Sequence, residues 1–575
     1  MQLPDPSRSF LLSSDALLLA GPMLRRTEAA GVTVWVALRC RCQVRLTVYD
    51  TQAGAQLRSG LMTGEATTCA IGQHLHLAVV TALPTADQRL EADRIYAYDL
   101  RFELPDGTGH TLAEALDSRD AGTISYFPHG LPTFALPPRR WQDLRLVHGS
   151  CRKPHAHGHD ALPILDSLIA AAVADPRRRP HQVFFTGDQI YSDDVAEPFL
   201  WWANRLGSDL LGWQEQLPGG FHASDLKPGE RAAIATQQGG FTAGMGNKTD
   251  KINSHLLGLG EFLATYLLYF SPACWPQHFP DRRSIRGPKG WNQQVERLQR
   301  FRKALPYVRR ALANVPVYTI FDDHDVSDDW NLNQAWCLRV LGRPLGRRVV
   351  QNALLAYALI QGWGNTPDQF QPGQPGNQLL RATERWSASE GTDSAAWSAI
   401  TQHLGLPPTN PLTSLPEFCR EDGYLVLDRQ PEALTWHYSL SSDCHRILAL
   451  DSRTRRGFPA DEPPLAPPQL LSASALDHQL ETFLETDGAQ QLTFVIAPTN
   501  LFSLKLLDWI QRFHLRHNKV FSTDVGDAWN LPTDSLAQFL VALFRQRQRT
   551  IVLSGDIHFS FAVQLTLESH DPTVN

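Results

Sequence analysis

The sequence predicts an α/β chain that opens with a small β-sandwich. Three observations carry that prediction. Residues 30 to 105 hold short runs in which apolar and polar side chains alternate. After Trp141 the apolar runs become continuous and are separated by long, partly helical stretches. Each of those later runs ends in residues that can do chemistry.

In the first part, "GVTVWVAL", "QVRLTVYD", "LHLAVVTA" and "RIYAYDLRFEL" read as strands, with turn residues such as "PDGTG" between them. Alternation of period two at this spacing suits a sandwich, expected over residues 1–130. Arg25 and Arg26 look like a twin-arginine export signal. The following "TEAAGVTVWVALRC" alternates like a strand and has no cleavable apolar core, so a strand is the preferred reading. Without a signal, the expected location is the cytoplasm. "LPTFALPPRRW" is proline-rich and is expected to be a linker within residues 131–143.

Six continuous runs follow: "LRLVHG", "QVFFTG", "VPVYTIF", "HRILAL", "LTFVIA" and "RTIVLSG". They suit strands buried on both faces. "DALPILDSLIAAAVAD" and "ASALDHQLETFLETD" have helical spacing. Together these give α/β organisation over residues 144–575. Two intervals, about 195–312 and 365–430, are too long for crossovers and are expected to be insertions that act as lids or walls.

The bulk numbers exclude several classes. With 53 basic and 59 acidic residues the net charge is −6, and no basic arm stands out. Nucleic acid is not expected as a structural partner, nor is electrostatic attraction to an anionic membrane. No run reaches the roughly 18 apolar residues of a membrane span. The eight cysteines include no CxxC pair, so neither a disulfide framework nor a zinc module is expected.

Strand ends in open α/β sheets build sites. Here they carry Cys151 and Arg152, then Asp188 and Tyr191, then Asp322, Asp323, His324 and Asp325. Asp451 and Arg453 follow the fourth run, Asn500 the fifth, and Asp556 and His558 the sixth. So many carboxylates around His324 need cations, and two would neutralise them. Cys151, Tyr191 and His558 suit a transition metal such as iron or zinc. Asp323 and Asp556 suit a harder ion such as calcium, magnesium or manganese, and Asp188 could bridge both. If residues 188–191 form the first turn of a helix, Asp188 and Tyr191 face one point. Asp328 and Asp329 read as solvated loop or capping charges. His155, His157 and His159 read as polar wall or surface.

The blocks "GSCRK", "GDQIY", "FDDHD", "LDSRTRR", "DAW" and "LSGDIH" resemble the signature blocks of the PhoD-like alkaline phosphatase/phosphodiesterase family, within the calcineurin-like metallophosphatases. The resemblance spans about residues 20 to 565. It implies a four-layer αββα catalytic domain after the sandwich. It implies that Cys151, Asp188, Tyr191 and His558 hold a first metal, ferric iron, and that Asp188, Asp323 and Asp556 hold a second, calcium, with zinc, manganese or magnesium as alternatives. His324 is then the residue at the leaving group or phosphoryl oxygen, and Arg453 a phosphate clamp. Arg152 and Asn500 are expected to contact substrate, Asn500 standing where the wider superfamily has a histidine. Family members carry further strands or a tail after the last block, so a C-terminal element closing the site is expected beyond the short stretch after His558.

The implied activity is hydrolysis of a phosphate ester by a metal-bound hydroxide, with in-line attack and inversion at phosphorus. A diesterase acting on nucleotides, phospholipids or teichoic-acid-like polymers is the closest alternative. A catalytically idle binding protein on the same fold is the alternative from another class.

Overall fold

The computed structural model describes residues 16–85, 89–116, 124–227, 229–243, 245, 251–485, 491–502, 504–546, 549–558 and 560–566. Nine strands come first: β1 (Leu18–Glu28), β2 (Gly31–Leu38), β3 (Gln43–Gln52), β4 (Gln56–Thr67), β5 (Cys69–Ala70), β6 (His76–Pro84), β7 (Ile95–Glu103), β8 (Gly109–Thr111) and β9 (Thr133–Ala135). They pair in the order β1-β2-β6-β4-β3-β7-β8, with β5 on β6 and β9 on β7. Val32, Val34 and Val36 of β2 share one apolar cluster with Val44, Leu46 and Val48 of β3. This is the sandwich interior that the alternation predicts.

The opposite face of β2 is buried too. Trp35 and Ala37 belong to the main core of the later part. Trp35 Nε1 donates to the Leu359 carbonyl at 3.0 Å, and Arg309 Nε donates to the Gly21 carbonyl at 2.8 Å. Arg25 lies inside β1, fully buried, and donates to the Gln361 carbonyl and to Asn365 Oδ1, each at 2.7 Å. The strand reading of the paired arginines therefore holds.

Part of the expected linker is not one. Thr133–Ala135 pairs with β7, and the Thr133 N–H donates to Asn314 Oδ1 at 2.6 Å. The prolines around it suit an edge strand, whose outer donors need no ladder partner.

All six continuous runs are strands. β10 (Leu146–Gly149), β11 (Gln182–Thr186) and β12 (Val317–Ile320) form a parallel sheet. β13 (Tyr438–Ser441), β14 (His445–Ala449), β15 (Leu492–Ala497) and β16 (Thr550–Ser554) form a second sheet, parallel except at β13. Alternate side chains of the second sheet go opposite ways. Ile447, Ala449, Phe494 and Ile496 join the core of the first sheet. Leu448, Leu450, Val495 and Ala497 pack with Leu480, Leu484, Phe539 and Leu543 of helical segments. His445 Nε2 lies 2.9 Å from Gln182 Oε1 and ties the sheets together. With α1 (Ile164–Ala171) packed in the core of the first sheet through Leu165 and Ile169, the arrangement is helix, sheet, sheet, helix.

The first long interval is core rather than lid. It supplies α2 (Glu197–Leu211), α3 (Leu259–Phe270) and α4 (Trp291–Ala313), and every residue of α3 is buried. "LGEFLATYLLYF" is apolar on nearly all sides, and such a helix is stable only inside. In the second interval the Pro375–Ala388 and Ser394–Leu404 helices bury Leu379, Trp386 and Ile400 in the same core. Ala473–Glu485 is helical throughout; the last two residues of the helix predicted there lie outside the described residues.

Candidate metal centre

The strand ends that carry the candidate residues meet at one edge of the two sheets. Close backbone approach makes this possible. A Cβ on Gly187 would lie 2.3 Å from the Asp322 Cβ, and one on Gly555 would lie 2.1 Å from the Thr186 carbonyl. Three candidate ligands leave their strands in the left-handed region: Cys151 at φ 59°, Asp188 at φ 53° and Asp556 at φ 69°. Side chains other than glycine rarely adopt this, and it gathers at functional sites.

Two acidic clusters adjoin. Asp188, Asp323 and His324 present ligand atoms within 4.8 Å of one another, and so do Asp322, Asp323 and Asp556. Asp323 belongs to both. Tyr191 Oη lies 3.4 Å from Asp188 Oδ2 and 3.2 Å from His558 Nε2. Cys151 Sγ lies 3.5 Å from the Asp556 carbonyl. Residues spread from 151 to 558 thus share one site.

The turn at residues 188–191 is not helical. It is held by Asp325, whose carboxylate accepts from the Asp188 N–H at 2.9 Å, the Ile190 N–H at 3.3 Å and the Asp322 N–H at 2.9 Å. Asp188 and Tyr191 still converge, through this loop.

Electrostatics mark the site as cation-demanding. Burial, then neighbouring carboxylates, push the Asp188 and Asp556 carboxyls well above the usual range. Burial also raises Asp322 and Asp325, each to about 7. Burial and the Asp188 charge raise the Cys151 thiol and the Tyr191 phenol. Burial works against Asp323 ionising, yet His324 and Arg453 pull it down to about 2. Asp188 Oδ1 is buried with no hydrogen-bond partner among the described residues. An orphaned carboxylate oxygen among like charges is costly, and a bound cation removes that cost. The donors fit the expected ions: sulfur, phenol and imidazole on one side, oxygen alone on the other.

His324 is oriented by a residue not singled out in the sequence. Its Nδ1 meets Asp193 Oδ1, and its ring stacks on Tyr191 with centroids 4.4 Å apart. The "SDD" run directly after Tyr191 was the available signal.

Arg453 does not stand free to clamp phosphate. It is fully buried, and its guanidinium bonds Asp322, Asp527 through both ends (2.6 and 2.9 Å) and the Trp330 carbonyl at 3.1 Å. Asp323 Oδ1 is 3.3 Å away. With four acceptors already in place, it neutralises the acidic floor. Arg152 is likewise committed, to Asp160 at 2.7 Å, to the Tyr269 carbonyl at 2.5 Å and over the Phe301 ring at 4.5 Å. Asn500 is buried and donates to the Phe502 carbonyl at 3.0 Å. A guanidinium has five N–H groups and an amide two, so these bonds hold Arg152 and Asn500 in place without using every donor.

Asp328 and Asp329 are buried, contrary to the solvated reading: Asp328 Oδ1 lies 3.9 Å from His324 Nε2, and Asp329 Oδ2 accepts from Thr242 Oγ1 at 2.9 Å. His155 faces Asp194 at 3.4 Å and His157 faces Arg297 at 3.1 Å, so these histidines do not converge. A cavity of about 370 Å³ opens beside the centre. Its lining includes Cys151, Arg152, Lys153 and Asp188 together with Phe185, Phe270 and Phe301.

No protein-family model matches the chain, and no curated protein matches it. Among solved structures it is similar to one described as the structure of PhoD, with 12% identity, a TM-score of 0.43, and coverage of 95% of this chain and 72% of that one. It is also similar to purple acid phosphatase PPD1 from yellow lupin (Lupinus luteus) seeds, with 10% identity, a TM-score of 0.37, and coverage of 93% of this chain and 58% of that one.

Proposed function

We propose that this chain is a metal-dependent phosphoric-ester hydrolase working through a two-cation centre. One observation carries the reading: two acidic clusters share Asp323, and a buried oxygen of Asp188 has no hydrogen-bond partner among the described residues. Cys151, Asp188, Tyr191 and His558 would hold one ion, ferric iron by donor type. Asp188, Asp323 and Asp556 would hold the other, calcium or another hard ion. When bound, the ions supply an activated water at neutral pH and offset charge on the phosphoryl oxygens.

The residues do the rest. Asp193 holds His324 through Nδ1, leaving Nε2 to hold or deliver a proton at the departing oxygen. Asp325 keeps the Asp188 turn in its strained form. Arg453 and Asp527 set the floor, so the ligands need not reorganise during turnover. Residues 144 onward form the catalytic part, with the sandwich as its scaffold. The cavity beside Cys151, with three phenylalanines in its lining, favours an ester whose other group is apolar or aromatic.

The deciding experiment assays p-nitrophenyl phosphate and bis-p-nitrophenyl phosphate after metal analysis and reconstitution. Hydrolysis of either ester that tracks metal content supports the reading. Full metal loading with no turnover of any ester in a mono- and diester panel would favour the idle binding protein.

A further inference from the structure

We infer that helix α5 (Lys505–Arg516) docks on an anionic lipid surface, lying in the interface without crossing it. The helix sits on the protein the wrong way round. Its polar side is the attached side. Asn530 Nδ2 donates to Asp508 Oδ1 at 2.7 Å and to Gln511 Oε1 at 2.9 Å. Gln511 Nε2 donates to the Thr523 carbonyl at 3.1 Å, and His514 Nδ1 lies 2.8 Å from Thr523 Oγ1. Leu515 packs against the small cluster of Val520, Val525 and Leu531.

The apolar side faces outward. Leu506 and Trp509 are each 66% exposed and Phe513 is 48% exposed. Spacings of three and four residues put these side chains on one stripe. The Trp509 and Phe513 rings stack with centroids 6.2 Å apart. No residue of the helix is buried. An ordinary surface helix turns its apolar stripe to the core. A reversed one leaves contiguous apolar surface in water, which marks an interaction site.

Charge identifies the occupant. Lys505, Arg512 and Arg516 are exposed along one margin of the stripe. The one acid of the helix, Asp508, is turned inward to Asn530. A tryptophan, a phenylalanine and leucines bordered by basic side chains match an acyl boundary beneath anionic headgroups. The chain carries −6 overall, but screening confines each charge to roughly 8 Å, so the local patch governs contact. Among the described residues no helix is long and apolar enough to span a membrane. In the chain the helix follows β15 (Leu492–Ala497) and Asn500.

Co-sedimentation of the full chain with vesicles tests this. Phosphatidylcholine vesicles containing about 30% phosphatidylserine should bind the protein, pure phosphatidylcholine should bind it far less, and about 0.5 M salt should release it. Trp509→Ser with Phe513→Ser, and separately Arg512→Glu with Arg516→Glu, should each weaken binding at least about tenfold without moving the thermal midpoint. Absence of binding to anionic vesicles, or equal binding by wild type and both variants, overturns the proposal. So does a wild-type dimer in ultracentrifugation that the Trp509→Ser, Phe513→Ser variant converts to monomer, since a second copy then covers the stripe.

Discussion

His324 Nδ1 lies 2.7 Å from Oδ1 of Asp193, a carboxylate with no exposed surface. The pair fixes which imidazole nitrogen faces the centre. Burial opposes charge on His324, yet Asp193, Asp323 and Asp188 hold its pKa well above the ordinary value. Asp193→Asn should cut kcat by about 10–100-fold while KM and metal content hold. Without the Asp193 charge the imidazolium loses its proton at lower pH, so the alkaline limb of the pH–rate profile should move to lower pH. An unmoved profile would reduce Asp193 to a packing residue.

Asp188 is the shared ligand of the proposed centre. Asp188→Asn should lower bound metal and reduce p-nitrophenyl phosphate hydrolysis by at least about 10³-fold. Elemental analysis alongside the assay separates metal loss from a chemical defect. Undiminished turnover would place the bridge on another residue.

Tyr191 supplies the phenol. A ferric ion bound to it should give a violet-to-brown absorption band, and Tyr191→Phe should bleach that band in iron-loaded protein. A colourless, iron-free and fully active wild type would rule iron out.

Arg453 balances Asp322, Asp323 and Asp527. Arg453→Met leaves buried carboxylates without their counter-charge, which costs about 3–5 kcal/mol. Thermal or denaturant unfolding should register that loss. A variant of normal stability with only a raised KM would restore the phosphate-clamp role.

Burial pushes Glu197 up to about 7 from 4.5, against the pull of its Gly229 N–H bond at 2.9 Å. The folded state therefore favours the protonated acid. That contribution is complete below the unfolded pKa of 4.5 and is lost as pH rises through about 7. Glu197→Gln cannot ionise, so it should gain about 2–3 kcal/mol relative to wild type between pH 5 and pH 8.5. Denaturant curves at both pH values measure the difference, and a pH-independent offset would contradict it.

The six strands were legible because each is a short, continuous apolar run, and the ligand candidates because each run ends in residues that titrate or bind metals. The burial of both faces of β2 was not legible. Alternation records one packed face, and Trp35 reads the same whether solvent or another layer lies beyond. Asp325 and Asp527 stood within quoted blocks but carried no assigned role, for a similar reason. Their work is to hold backbone N–H groups and guanidinium groups from distant segments, which local sequence does not encode. Arg453 was misread because an arginine after a strand looks alike whether it faces a ligand or an acidic floor.

The sequence by itself determined the strands, the sandwich alternation and the chemical types available at each strand end. Only the tertiary structure decided that Cys151, Asp188, Asp323, Asp556 and His558 share a site, and that Arg453 is spent on carboxylates. Chain order fixes residue identity, but charge and ligand interactions act over a few ångströms. Those separations exist only once the two sheets have packed, with Gly187 and Gly555 admitting the neighbouring backbone.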